Sequence, residues 1–238
     1  MSTTDNPFYI IGHRGAKHER LENSLDGFQH ALTLGIDAIE LDIREHSQRL
    51  WVFHDQYLER LTGERGLFEA HPNPSAINLS NGEPIPELQQ VLDLYWGRMP
   101  INIEIKSVTN LQLMLDLLAQ YPAPEASLDE ASALPWILIS SFNHAALLEL
   151  RKLDCPWPLA PISGGIPLQF KVELEQLAPY SWHFDDEYLD LDQVRYLSRL
   201  GVPSMVFTIN DIERAEFLKQ QGVAGIFTDI PTQMSELR

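Results

Sequence analysis

The sequence predicts an α/β fold, a TIM (β/α)8 barrel with a small insertion after the second strand. Three observations predict it. Short, β-rich apolar runs alternate with longer stretches of helical period, eight such runs fit within 238 residues, and the rhythm breaks once, after the second run. Parallel strands need crossover connections, so regular alternation of this kind reads as a parallel α/β sheet. A doubly wound open sheet shares the alternation and is the second possibility.

The elements follow in order. A first strand at 8–12 (FYIIG) ends at His13 and Arg14, and a helix is expected over 24–34. The second strand, 38–44 (AIELDIR), leads into an insertion at about 45–86. Within it, WVF at 51–53 follows too closely for a parallel crossover and reads as an antiparallel return or an extended loop strand. The stretch HPNPSAINLSNGEPIP, 71–86, then belongs over the barrel mouth, where a loop of such length is functional or disordered. Helix 87–96, with Pro86 in its first turn and Gly97 after its last, precedes strand 101–106 (INIEIK) and helix 110–121. The connection 122–135 reads as a surface loop. Strands at 136–141, 158–162, 181–185, 204–209 and 225–228 alternate with helices at 143–153, 168–178, 190–200, 211–221 and 232–237. Asn210 and Glu213 have capping-box spacing, and Gly222 follows the last turn of its helix. The whole of 1–238 is expected to form one domain.

Composition narrows the function. Hydrophobic residues make up 44% and charged residues 21%, as in ordinary globular proteins. With 17 Lys and Arg against 34 Asp and Glu, the net charge of −17 repels nucleic-acid phosphates and anionic lipid surfaces. The scattered tryptophans offer no stacking platform for bases. Cys155 is the single cysteine, which excludes an internal disulfide framework and a thiolate metal cluster. The start MSTTDNPFYIIG carries no basic n-region or apolar h-region, and no apolar run reaches about 18 residues. No export and no membrane insertion are expected, and the cytoplasm is the expected location.

In a parallel barrel, site residues come from the carboxyl ends of strands. Glu40-Leu41-Asp42 and Glu104-Ile105-Lys106 each set two ionisable groups on one side of a strand of period two, pointing inward. Three carboxylates converging on a barrel interior repel one another unless protonated or bound to a cation. A hard divalent ion, Mg²⁺ or Ca²⁺, suits oxygen ligands without thiolate. The plainer alternatives are salt bridges from Glu40 and Asp42 to Arg14 and Lys106, and a simple buried Glu104–Lys106 pair.

HRG at 13–15, ENS at 22–24, ELD at 40–42, VFHD at 52–55, LERLTGERG at 58–66, IPELQQVLDL at 85–94, IEIK at 103–106, SSF at 140–142, FTIND at 207–211 and GIFTDIP at 225–231 occur in the order and spacing of the glycerophosphodiester phosphodiesterases. The chain resembles that family over nearly its whole length. The resemblance implies a TIM barrel with an insertion after the second strand, His13 and His54 as acid and base, Glu40, Asp42 and Glu104 as metal ligands, and Arg14 and Lys106 as phosphate-binding cations. It also implies attack by the neighbouring glycerol hydroxyl, a cyclic phosphate that water opens, and glycerol 3-phosphate and an alcohol as products. Nearby carboxylates are expected to favour a protonated histidine near neutral pH.

The chain departs from the family pattern at Leu21, Ser24, Phe207 and the turn EHSQR at 45–49. The turn bears on how His54 is presented. Two alternatives stay open: lysophospholipase D action, with Leu58, Leu61, Leu67 and Phe68 lining an apolar path to the barrel mouth, and a catalytically silent binding barrel. A glycosidase using the carboxylates alone leaves the histidines without a role. Glu22 is expected to support Arg14 rather than a metal, and His183 either touches substrate or is a satisfied barrel histidine.

Overall fold

A computed structural model describes residues 7–122, 134–165 and 167–237. Along the chain run β1 (Tyr9–Gly12), α1 (Leu25–Ala31), β2 (Ala38–His46), β3 (Arg49–Val52), α2 (Glu59–Thr62), α3 (Leu88–Tyr95), β4 (Ile101–Ser107) and α4 (Leu111–Leu118). They continue with β5 (Ile137–Ser141), α5 (His144–Lys152), β6 (Leu159–Ser163), α6 (Phe170–Leu177), β7 (Trp182–Asp185), α7 (Leu191–Arg199), β8 (Ser204–Phe207), α8 (Ile212–Gln220), β9 (Gly225–Thr228) and α9 (Pro231–Met234). Most of the connection read as a surface loop, 123–133, lies outside the described residues.

The strands other than β3 pair in parallel, and β1 pairs with both β2 and β9. That double pairing closes the sheet into a barrel and removes the open doubly wound alternative. On β2, Ile39, Leu41 and Ile43 are fully buried within the main hydrophobic cluster, which also holds Leu88, Val91 and Leu92 of α3. Period two therefore turns Glu40 and Asp42 to the opposite, inner side. No described helix is long and apolar enough to cross a membrane.

The insertion begins as a hairpin. β3 runs antiparallel to β2 with His46 opposite Arg49, so two residues make the turn. These are Ser47 and Gln48, at φ 53° and 57°. Two central residues at positive φ are the signature of a type I′ turn, which matches the twist of the strands and favours Asn-Gly. The EHSQR departure therefore keeps the tight hairpin while holding two side chains in the left-handed region. Ser47→Asn combined with Gln48→Gly is expected to stabilise the fold by about 0.5–1 kcal/mol. Thermal unfolding reads this directly, and a lowered Tm would contradict it.

After the hairpin, the insertion packs a core of its own. Trp51, Phe53, Leu58, Leu61, Phe68, Ile77, Leu79 and Ile85 form one buried cluster, with the rings of Phe53 and Phe68 stacked 5.2 Å apart. Leu58, Leu61 and Phe68 therefore do not line an apolar path to the barrel mouth: their burial is spent on holding the insertion together. Leu67 is exposed on the surface, opposite Tyr57.

Two local expectations are corrected. Pro86 does not enter the first turn of α3; it precedes Glu87, whose side chain and that of Gln90 form the capping box. Asn210 does not cap α8. Asp211 does, accepting from the Arg214 amide, because Asn210 is drawn to β9, where its Nδ2 donates to Asp229 at 3.0 Å and its Oδ1 accepts from the Asp229 amide at 2.8 Å.

Candidate active site

At the carboxyl ends of the barrel strands lies a cavity of about 300 Å³. His13, Arg14, Glu40, His54, Glu104 and Lys106 line it, and Asp42 lies fully buried beside them. The register of the sheet explains why. Asp42 on β2 sits opposite Glu104 on β4, so residues 62 positions apart become neighbours at one depth of the barrel. Ligand oxygens of Glu40, Asp42 and Glu104 all lie within 4.8 Å of one another.

The β1 loop is tightly folded. A Cβ on Gly12 would stand 2.1 Å from the Gly15 carbonyl oxygen, so only glycine lets the chain double back there. Arg14 adopts φ 52°, a costly conformation for a residue that carries a Cβ. Its amide donates to Glu40 at 3.0 Å, and its carbonyl accepts from the Asn23 amide at 3.1 Å. Ser24 caps α1 by accepting from the Gly27 amide, so the serine at this position fixes the helix start beside the loop.

The charges do not balance within the cluster. Lys106 reaches Glu104 at 2.5 Å and Asp42 at 3.3 Å, and Arg14 Nε reaches Asp42 at 3.2 Å. Burial would raise the Asp42 carboxyl, but the charges of Lys106 and Arg14 overcome it and hold it low. Glu40 and Glu104 are pushed upward, by burial first and then by the Asp42 charge. Glu40 Oε1 is buried with no hydrogen-bond partner. Two cations are thus too few for three buried carboxylates, and the oxygen donors fit a divalent metal. The simple ion-pair alternatives account for Asp42 and Glu104 but leave Glu40 unsatisfied.

Each histidine is backed by a carboxylate. His13 Nδ1 donates to Asp229 Oδ1 at 2.6 Å, and His54 Nδ1 donates to Asp55 Oδ1 at 2.7 Å. Those bonds select the tautomer that leaves Nε2 of each ring for the cavity. The expectation that carboxylates keep a histidine protonated is corrected: burial outweighs them and lowers both pKa values below the ordinary imidazole range. Arg44 holds the His54 carbonyl through Nε at 3.1 Å and Nη2 at 2.9 Å, which anchors the segment after the altered hairpin.

Residues not singled out beforehand complete the framework. Arg60, on α2, donates to both Asp55 and Glu22 at 2.7 Å, and Glu22 accepts from Arg14 at 2.7 Å. Glu22 stands outside the three-carboxylate cluster. The chain His54–Asp55–Arg60–Glu22–Arg14 therefore ties the insertion to the β1 loop. Asp229 directly follows β9, within the GIFTDIP stretch, whereas nothing in the spacing of Arg60 marked it. His183, 1% exposed, lines the cavity with its Nε2 3.1 Å from Ser181 Oγ.

The glycerophosphoryl diester phosphodiesterase family model matches residues 13–233. A Bacillus altitudinis glycerophosphodiester phosphodiesterase is 29% identical, the match covering 96% of this chain and 97% of the relative. A human lysophospholipase D is 25% identical, covering 95% of this chain and 84% of its own. Among solved structures, an Oleispira antarctica phosphodiesterase in complex with the product sn-glycerol-3-phosphate aligns with a TM-score of 0.83 and 27% identity, over 97% of each chain. With a family match that spans the barrel from the His13 loop to α9, this chain belongs to the glycerophosphoryl diester phosphodiesterase family.

Proposed function

We propose that the cavity hydrolyses glycerophosphodiesters, the deacylated head groups of phospholipids, to glycerol 3-phosphate and an alcohol. The observation that carries this reading is the placement of two carboxylate-backed histidines around one cavity with a three-carboxylate cluster and two cations. A phosphodiester is a stable monoanion, so its cleavage requires charge neutralisation, removal of a proton from the attacking oxygen and protonation of the leaving alkoxide.

Arg14 and Lys106 bind the nonbridging phosphate oxygens. Glu40, Asp42 and Glu104 would hold Mg²⁺ or Ca²⁺, which when bound would supply Lewis-acid stabilisation of the phosphoryl charge. One histidine Nε2 takes the proton from the glycerol hydroxyl beside the ester as its oxygen attacks phosphorus. The other delivers a proton to the departing alcohol oxygen, and the resulting cyclic phosphate is opened by water with the roles reversed. Neutral imidazole, favoured by burial, is ready for the first task; the second needs imidazolium, and the bound phosphodiester anion favours it, so that ring takes a proton from solvent as substrate binds and then gives it to the leaving oxygen. The cytoplasm remains the proposed compartment.

Purified protein is expected to release glycerol 3-phosphate from glycerophosphocholine or glycerophosphoethanolamine with Mg²⁺ or Ca²⁺, and to lose that release in chelator. Release indifferent to chelator would sink the metal assignment. Release of choline from lysophosphatidylcholine, with no product from either glycerophosphodiester, would replace the reading with the lysophospholipase D activity for which the human relative is named.

A further inference from the structure

The cavity is chemically divided. The side built from β1, β2, β4 and the insertion carries the acids, both proposed catalytic histidines, Arg14 and Lys106. The side built from β5 through β9 is lined by Phe142, Ile162, His183, Phe207 and Phe227, with Asp185 as its one charged residue among the described residues. Asp185 and Phe207 are register partners on adjacent parallel strands, so their side chains emerge next to each other at the cavity wall. We propose that this wall is a subsite for a cationic leaving alcohol, its ammonium held by Asp185 against the Phe207 ring; the inference rests on the phosphodiesterase reading above.

Several features argue for a cation rather than a neutral or anionic group here. Asp185 Oδ1 is committed to the turn after β7, accepting from the Glu187 amide at 2.9 Å. Its Oδ2 takes no hydrogen bond among the described residues. Asp186, the next acid along, is neutralised by Arg214, leaving Asp185 to face the cavity. No Lys or Arg lines this side, and burial holds His183 neutral, pushing its pKa down to about 3.

The aromatic groups fit the same ligand. Phe207 and Phe142 meet edge to face at 5.8 Å, and Phe142 is 50% exposed at the mouth. The Lys106 ammonium already lies 5.5 Å from the Phe142 centroid, which leaves Phe207 as the ring beside Asp185. A quaternary ammonium is attracted to an aromatic face and, being unable to donate hydrogen bonds, loses little on leaving water for such a wall. A zwitterionic diester would then match the cavity end to end, its phosphate on Arg14 and Lys106 and its ammonium on Asp185. An anionic leaving group would meet the carboxylate.

The test uses the metal-loaded enzyme and two esters of one shape: glycerophosphocholine, and its analogue in which tert-butyl replaces trimethylammonium. The wild-type kcat/KM is expected to favour the choline ester by about tenfold, the size of one cation–π contact reinforced by a charge. Asp185→Asn keeps the Oδ1 acceptor that the turn needs, and is expected to bring the ratio of the two kcat/KM values down to about the two- to threefold that the Phe207 face alone supplies. Phe207→Leu should lower the ratio by a smaller factor. Equal use of the two esters by the wild type would overturn the subsite while leaving the phosphodiesterase intact. So would an Asp185→Asn variant that loses the same factor on both, because Asp185 would then serve the glycerol end they share. Absence of turnover with either ester would strike the phosphodiesterase reading itself, and the subsite with it.

Discussion

His13→Ala and His54→Ala are each expected to lower kcat for glycerophosphocholine by about 10³-fold, within the range that positioned proton transfer contributes. The geometry explains why water cannot substitute. Each ring is fixed at Nδ1 by a carboxylate, at 2.6 Å for His13 and 2.7 Å for His54, so Nε2 is aimed before substrate arrives. The barrel should survive both changes, because neither ring belongs to a hydrophobic core cluster. Circular dichroism and Tm check that, and metal titration checks that the carboxylate cluster is intact. A substrate with p-nitrophenol as the leaving alcohol then separates the two roles. Its departure needs no proton, so the variant lacking the acid should regain most of its rate and the variant lacking the base should not. Recovery in both variants, or in neither, would contradict a division of acid and base between them.

The second large effect concerns stability. His183 is sealed into the barrel, and burial moves its pKa from 6.5 down to about 3. Between those values the unfolded chain binds a proton that the folded chain excludes. The contribution of neutral His183 is therefore fully present above pH 6.5 and is lost as pH falls toward 3, at about 1.4 kcal/mol per pH unit. From pH 7 to pH 5, the urea-unfolding free energy of the wild type should fall by about 2 kcal/mol more than that of His183→Gln, with chelator present throughout. Parallel losses in the two proteins would show that His183 accepts a proton within the fold.

Much of the barrel was legible because period-two runs and their spacing are local properties. Glu40 and Asp42 announced themselves in the same way, being two apart on one strand. That Asp42 meets Glu104 depends on the register between β2 and β4, which no local pattern encodes. Arg60 was illegible for a stronger reason. Its partners Glu22 and Asp55 lie in separate segments, and only the folded insertion brings them to one guanidinium. The antiparallel return at WVF was legible from its short connection, but residue type did not mark the two-residue turn at Ser47 and Gln48, since neither is the glycine or asparagine that usually declares it. Asn210 misled because a sound local rule, its spacing to Glu213, lost to a bond with a strand formed later in the chain.

The bond between His13 and Asp229 spans 216 residues. On the ribosome, where a chain grows at about 5–20 residues per second, the segment that carries His13 emerges well before the strand that orients it. Until β9 docks between β1 and β8, the imidazole lacks its carboxylate and the sheet lacks its seam. A nascent or prematurely terminated chain can hold His54, Glu40, Asp42 and Glu104 and still be without an aimed His13. With the partner of an early residue directly after the strand that closes the barrel, catalytic competence waits on closure of the barrel.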